Sequence, residues 1–424
     1  MKFKALLLLV VLMYSCVPLD STTNTNYYPT LSYENADYTN KIGMSMVYPS
    51  GQDNKMSFPA TALNGSGVII EFDLLEENLT YLHAKIIHCN ANWTPSGLSD
   101  LQILTQYNEF PINDYSYSAN TLIPYVSYKL NLPAPSISGN YLIVVYKEGN
   151  ARNIILSRRF VVYDRLAAIN TDILVSDMVT SRSENQKLKI LVKYSGIANA
   201  NPLREMQLVI LQNQNWLSAK YNLKPTLLRA DQNLIEYNPF SGESDFPGGN
   251  QFRFFDLRSI DYRGMNVSHI DKQPNMIHAY LNKDKSRSGQ SYSQLIEDNN
   301  GGFVLENRDP NDSQLQSEYV LVHFELDIED PEYFFYIWTR KNDWQKESEN
   351  RMEYDPQSRS YKGSLLLKQG YYDYLYSGNY QNGAELGESS HFQTENDYQI
   401  LVYYRNPFKN YDELIGLSQK SSVN

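Results

Sequence analysis

Beyond its first thirty residues the chain is written in short runs of β-branched and aromatic residues, each bounded by Gly, Pro, Asn or Asp. Such runs read as strands. They fall at 68–74, 81–88, 141–146 and 153–163, with turn signals at Asn64-Gly65, Gly139-Asn140 and Gly149-Asn150. A second set, after a seam at 164–170, covers 187–194, 206–211, 234–237, 252–257 and 276–280; a third covers 319–326, 333–339, 361–367, 371–376 and 398–404. No helical segments alternate with the strands, so a parallel sheet is excluded and antiparallel pairing follows. The expected fold is all-β, as tandem antiparallel β-sandwich (immunoglobulin-like) domains at 31–165, 166–310 and 311–424. The polar interval 282–317 reads as a long hairpin loop or linker, and 411–415 as one helical turn.

The amino-terminus sets the compartment. Lys2 and Lys4 precede an apolar stretch from Ala5 to Met13, too short to span a bilayer and shaped like a secretory signal. The stretch ends in Ser15-Cys16, which resembles the lipobox at which a cysteine is acylated, although Met13 and Tyr14 depart from its commonest form. We expect a signal at 1–15, a lipidated Cys16 and a flexible tether over 16–30. No second long apolar run follows. Removing residues 1–15 takes two of the 37 basic residues and none of the 48 acidic ones, leaving a net charge of −13. That balance disfavours a nucleic-acid partner. Cys89 is then the remaining thiol beside an acylated Cys16, so no disulfide is expected and the fold rests on its cores.

Catalytic patterns are missing where chemistry would need them. The six histidines (His83, His88, His269, His278, His323 and His391) lack a His-Glu-x-x-His helix; His83 and His88 point to opposite faces of one strand. No Gly-x-Ser-x-Gly elbow occurs, and Gly65-Ser66-Gly67 precedes a strand without a following helix. Cys89 beside His88 reads as a buried structural cysteine, since strand neighbours face apart. Asp309/Asp312 and Asp327/Asp330 lie beside Pro and read as solvated turns. No metal, cofactor or small-molecule substrate is expected. Tyrosine is over-represented, with 35 copies against 16 Phe and 4 Trp. Most suit strand packing with the hydroxyl at a wet edge, and a subset would suit partner contacts.

One element stands apart as a candidate partner contact or structural hairpin: Phe246, Pro247, Gly248, Gly249 and Asn250, followed by Arg253. Pro-Gly-Gly-Asn makes a tight turn. In the strand after it Phe252, Phe254 and Asp256 share one face, and Arg253, Phe255 and Leu257 the other.

Several segments together resemble the plug protein family of the type IX secretion system. They are Ile86-Ile87-His88-Cys89-Asn90-Ala91-Asn92-Trp93-Thr94-Pro95-Ser96, Tyr107 to Tyr115, Asn120 to Tyr125, Phe246 to Arg258, and Tyr403-Tyr404-Arg405 with Asp412 to Gly416. The resemblance implies a non-enzymatic periplasmic subunit that docks at the inner mouth of the outer-membrane translocon barrel and closes it. Val17 to Ser21 lack the acidic doublet that marks surface export in bacteria with this system, which implies an anchor in the inner leaflet.

A glycan-binding lipoprotein is the competing expectation. Asn342-Asp343-Trp344 with Leu365 to Tyr374 is similar to early-set immunoglobulin-like modules, some of which hold starch through a Trp. Of Trp93, Trp216, Trp338 and Trp344, only Trp344 is placed on a loop by the sequence. A hydrolase would require convergent carboxylates in a cleft.

Overall fold

The computed structural model describes residues 28–197, 201–293, 298–309, 314–380, 385–386 and 388–422. The signal segment, Cys16, most of the tether and Asp312 lie outside them. Six antiparallel-rich sheets form three sandwiches.

In the first sandwich, one sheet orders Ala36–Asp37, Ile154–Tyr163, Gly139–Lys147, Leu82–Cys89 and Phe110–Pro111, with Ala60–Ala62 parallel to Ile154–Tyr163. The facing sheet orders Ile42–Pro49, Val68–Leu74, Val126–Leu132 and Asp114–Tyr117. Alternation places Val68, Ile70 and Phe72 in the core against Ile86, Ile143 and Phe160.

The second sandwich is discontinuous. One sheet is built from Ala168–Val175, Asn185–Lys193, Leu234–Tyr237 and Leu227–Arg229, with Asp245–Pro247 on Asn185–Lys193. The other takes Lys220–Tyr221, Met206–Gln212, Asp397–Tyr404 and Glu413–Ser421, so the last two strands of the chain complete a domain begun more than two hundred residues earlier. The third sandwich, Arg253–Asp256 through Glu385–Leu386, is inserted between Asp245–Pro247 and Asp397–Tyr404.

This corrects the expected boundary at 310/311. The strands Arg253–Asp256, Val267–Lys272, Ile277–Leu281 and Phe303–Leu305 belong to the third sandwich, and Asp397–Tyr404 to the second. Local patterning reports that a segment is a strand but not which distant strand it pairs with. Two smaller corrections follow. Residues 413–415 lie in a strand, with Leu414 and Ile415 buried, and the 298–305 portion of the polar interval folds within the third sandwich.

The apolar runs without alternation have a common cause. Gly139–Lys147 is buried on both faces: Tyr141, Ile143 and Val145 enter the first core, while Leu142 and Val144 turn outward. Across from them, Leu208 and Ile210 enter the second core and Val209 and Leu211 turn back; Leu401 and Tyr403 do the same on Asp397–Tyr404. The two sandwiches thus stack sheet on sheet into four layers, and strands covered on both sides carry no polar face. The third sandwich closes against Met44, Met46 and Tyr48 of Ile42–Pro49. Tyrosine fills much of this interior; Tyr125, Tyr128, Tyr141, Tyr237, Tyr319, Tyr361, Tyr376, Tyr398 and Tyr403 are among the largest fully buried side chains.

Candidate functional site

The sequence segments 86–96 and 403–416, far apart in the chain, meet at the joint between the first and second sandwiches. Asp412 is its hub. Its Oδ2 accepts from Ala91 N at 3.0 Å, its Oδ1 from Arg405 Nε at 2.7 Å, and its own N–H donates to Asn90 Oδ1 at 3.2 Å. Asn140 bridges the same gap, donating to Asn90 O and accepting from Tyr403 OH at 2.6 Å. Trp93 takes a left-handed conformation (φ 65°), which turns its ring under the Arg159 guanidinium at 4.3 Å and edge-on to Trp216 at 4.9 Å.

His88 and Cys89 take part in this packing. His88 is buried between Tyr141 and Tyr411, and burial pushes its pKa down to about 4. Burial pushes the Cys89 thiol up to about 12, where it is not a nucleophile at neutral pH. Among the described residues no group of three or more His, Cys, Asp or Glu is placed to hold a metal ion, and no helix is long and apolar enough to cross a membrane.

One residue of the third sandwich reaches both of the others. Arg340 donates through Nη2 to Met56 O of the first sandwich at 2.7 Å and to Gln214 Oε1 of the second. Burial lowers its pKa to about 10, and nearby Asp343 and Asp397 hold the charge. Asn35 donates to Asp343 Oδ1 at 2.7 Å, and on the other flank Lys368 and Tyr319 both reach Asp73. A body with three mutual contacts of this kind cannot bend at one linker without breaking buried polar bonds.

The Phe246–Arg253 element is not a hairpin, which corrects that part of the expectation. Asp245–Pro247 pairs with Asn185–Lys193 and Arg253–Asp256 with Gly370–Tyr380, so residues 248–252 carry the chain from the second sandwich into the third. Phe246 is buried edge-on to Tyr398. Gly248 passes so close to the returning chain that a Cβ would lie 2.0 Å from His391 O, and Gly249 has φ +68°. Asn250 is buried, Pro247 is exposed, and Arg253 is held by Glu388 and Asp284 at 2.8 Å each. The separation of Phe255 and Leu257, in the core, from Phe254 follows the expected alternation.

Trp344 sits on a turn, as the sequence places it, yet it is only 3% exposed. It packs on Phe252 and against Gly301, where a Cβ would lie 2.1 Å from Trp344 Cη2. A flat sugar-stacking platform at Trp344 is not available. What sequence reasoning missed was the joint itself: Asp412, Asn140, Arg340 and Asp73 are polar residues whose partners are hundreds of positions away.

Residues 44–164, the bulk of the first sandwich, match the family model described as type 9 secretion system plug protein 1st domain. The first sandwich is similar to a plug-protein first domain. Beyond it, a crystal structure of a hypothetical protein from Parabacteroides merdae ATCC 43184 is similar over 93% of this chain and 100% of that one, with 27% identity and a TM-score of 0.86. The likeness therefore takes in the inserted sandwich as well as the plug domain. No curated protein matches the chain. Two of the plug-like segments read in the sequence, 86–96 and 403–416, are the two sides of the first joint, one inside the plug domain and one beyond it.

Proposed function

We propose that this protein is the periplasmic subunit that occludes the inner mouth of the type IX outer-membrane translocon. The plug-domain match over 44–164 carries the reading. An open barrel of large diameter passes water and solutes freely, and a folded body across its mouth excludes them by volume alone, with no reaction. The interlocked joint supports it, because a plug must hold its shape against the opening. On this reading the tether over 16–30 runs from a lipid on Cys16 in the inner leaflet of the outer membrane to the first sandwich, keeping the body near its barrel.

The test is uptake of a bulky hydrophilic antibiotic in four strains: wild type, a deletion of this protein, a deletion of the translocon, and both. Sensitisation in the first deletion that disappears in the double supports occlusion. Equal sensitisation in both means a general envelope defect, and none at all refutes the proposal.

A further inference from the structure

The histidines are scattered along the sequence, yet the third sandwich brings three of them side by side. His269 lies on Val267–Lys272, His278 on Ile277–Leu281 and His323 on Tyr319–Asp327, three neighbouring strands of one sheet. Alternation sends Ile277, Ala279 and Leu281, with Val320, Val322 and Phe324, into the core, so His278, Tyr280 and His323 stand on the other face. There the rings form a stack. His269 lies over Tyr280 with centroids 4.3 Å apart, Tyr280 over His323 at 4.4 Å, and His323 beside His278 at 5.2 Å, all within 12° of parallel. His269 is exposed, and His278 and His323 are half-buried.

The stack ends in two nitrogens that face each other: His278 Nδ1 and His323 Nε2 are 2.9 Å apart. Two neutral imidazoles at this distance share one hydrogen bond. The same distance suits a chelate. Imidazole nitrogens sit roughly 2.0–2.1 Å from a first-row divalent cation, so a pair 2.9 Å apart subtends an angle of about 90° at the metal. A tetrahedral centre would hold them about 3.3 Å apart. A right angle is the cis arrangement of a tetragonal centre, which copper(II) and nickel(II) favour, and copper(II) stands highest in affinity among the first-row divalent ions. Asp271 pairs with His278 across the two strands, which brings a carboxylate to the same face. The outer nitrogens, His278 Nε2 and His323 Nδ1, have no hydrogen-bond partner among the described residues and are not sealed from solvent, so the pair lies at a wet surface.

We propose that His278 and His323 form a two-histidine site for a tetragonal divalent cation, copper(II) foremost, with water in the remaining positions. Each ring coordinates through its inner nitrogen and keeps its proton on the outer one. Two protein ligands are what the described residues supply, since no third His, Cys, Asp or Glu is placed to complete the set. His269 is held off by the Tyr280 ring and is not a ligand. The alternatives fit less well. Zinc(II) in its usual tetrahedral geometry would require the rings to part, and an anion would require two imidazolium charges side by side, which repel. The inference does not depend on occlusion of the translocon, because the histidine pair belongs to the third sandwich alone.

The experiment adds glycine-buffered copper(II) to the full mature chain carrying Cys16→Ser, which removes a competing thiol; nickel(II) and zinc(II) are run alongside. Calorimetry should show one copper per chain, half-saturated in the micromolar range. Pulsed electron paramagnetic resonance of that species should show two coupled imidazole rings, a reading that needs no further variant to fold. His278→Gln and His323→Gln should each lower the affinity by more than the roughly 10–100-fold that loss of a supporting residue costs, while His269→Gln leaves it unchanged. Circular dichroism establishes that each variant is folded. No saturable copper binding, equal affinity in His278→Gln, a species with a single coupled imidazole, as large a loss in His269→Gln, or tighter binding of zinc(II) than of copper(II) overturns the proposal.

Discussion

Lys368 Nζ meets Asp73 Oδ2 at 2.7 Å across the boundary between the third and first sandwiches, and the Asp73 side chain is fully excluded from solvent. Tyr319 OH donates to the same oxygen at 2.6 Å, and the Lys368 ammonium lies 4.0 Å from the Tyr125 ring centroid. A charge pair in such a place stabilises only while complete, since either partner alone is a buried uncompensated ion. Lys368→Met should therefore cost about 3 kcal/mol or more, and Lys368→Met with Asp73→Asn should recover part of it. Chemical denaturation of the three proteins checks this; a double variant no more stable than the single one would show that the pair is not coupled.

Asp373 gives the stability a pH dependence. Burial, with Asp298 nearby, raises its pKa to about 7 from an ordinary value near 4. The folded state thus keeps a proton that the unfolded chain releases, so this contribution is fully present below about pH 4 and is lost as pH rises through about 7. Asp373→Asn, which cannot ionise, should gain on the wild type by about 1 kcal/mol or more at pH 8 and by little at pH 4. Denaturation midpoints of both proteins across that window are the measurement, and a constant difference would refute the assignment.

His88 acts in the opposite sense. Its folded pKa of about 4 lies below the ordinary 6.5, so below about pH 6.5 the unfolded chain takes up a proton that the folded one refuses. Stability from this group should fall between about pH 6.5 and 4 and level off below. NMR titration of the His88 ring in the folded protein should show no protonation above about pH 5; a midpoint near 6.5 would mean the ring is hydrated.

Gly248 and Gly249 should differ although they are adjacent. Alanine at 248 drives a Cβ into His391 O and toward Glu184 O at 2.9 Å, backbone atoms that cannot rotate away. Alanine at 249 meets open space and bears only the strain of φ +68°. We expect a loss of about 2–3 kcal/mol for Gly248→Ala and about 1 kcal/mol for Gly249→Ala. Equal losses would show that steric contact between the two crossings is not what requires glycine.

Cys16→Ser should release the protein from the membrane fraction, because one cysteine supplies the acyl chains. Fractionation in cells lacking the translocon separates the lipid anchor from docking. Retention of the substituted protein there would refute the anchor.

The strand positions were legible in the sequence because a strand leaves a local trace: Val68, Ile70 and Phe72 alternate with Ile69 and Glu71, and Gly, Asn and Pro mark the turns. Trp93, Asn90 and Asp412 lay within the plug-like segments, and the structure places all three at the joint, Trp93 at φ 65° and Asn90 and Asp412 joined by a hydrogen bond. The pairing of strands was not legible. Asp397–Tyr404 completes the second sandwich and not the third because Ile400 and Val402 pair beside Ile210 and Leu208 in one sheet and pack with Leu188, Ile190 and Val192 of the facing sheet, a fact about shape and distance that no window of sequence contains. Nor did Gly248 reveal that it was a crossing and not a hairpin, since glycine is required by close approach in both. Trp344 shows the same limit: its turn was readable, but its burial depended on Phe252 and Gly301 arriving from elsewhere in the chain. Sequence determined the local conformations and the all-β character, through side-chain period and backbone preference. Tertiary structure decided which faces met, and with them the joint, the inserted domain and the histidine pair, because burial and hydrogen-bond partnership are set by residues distant along the chain.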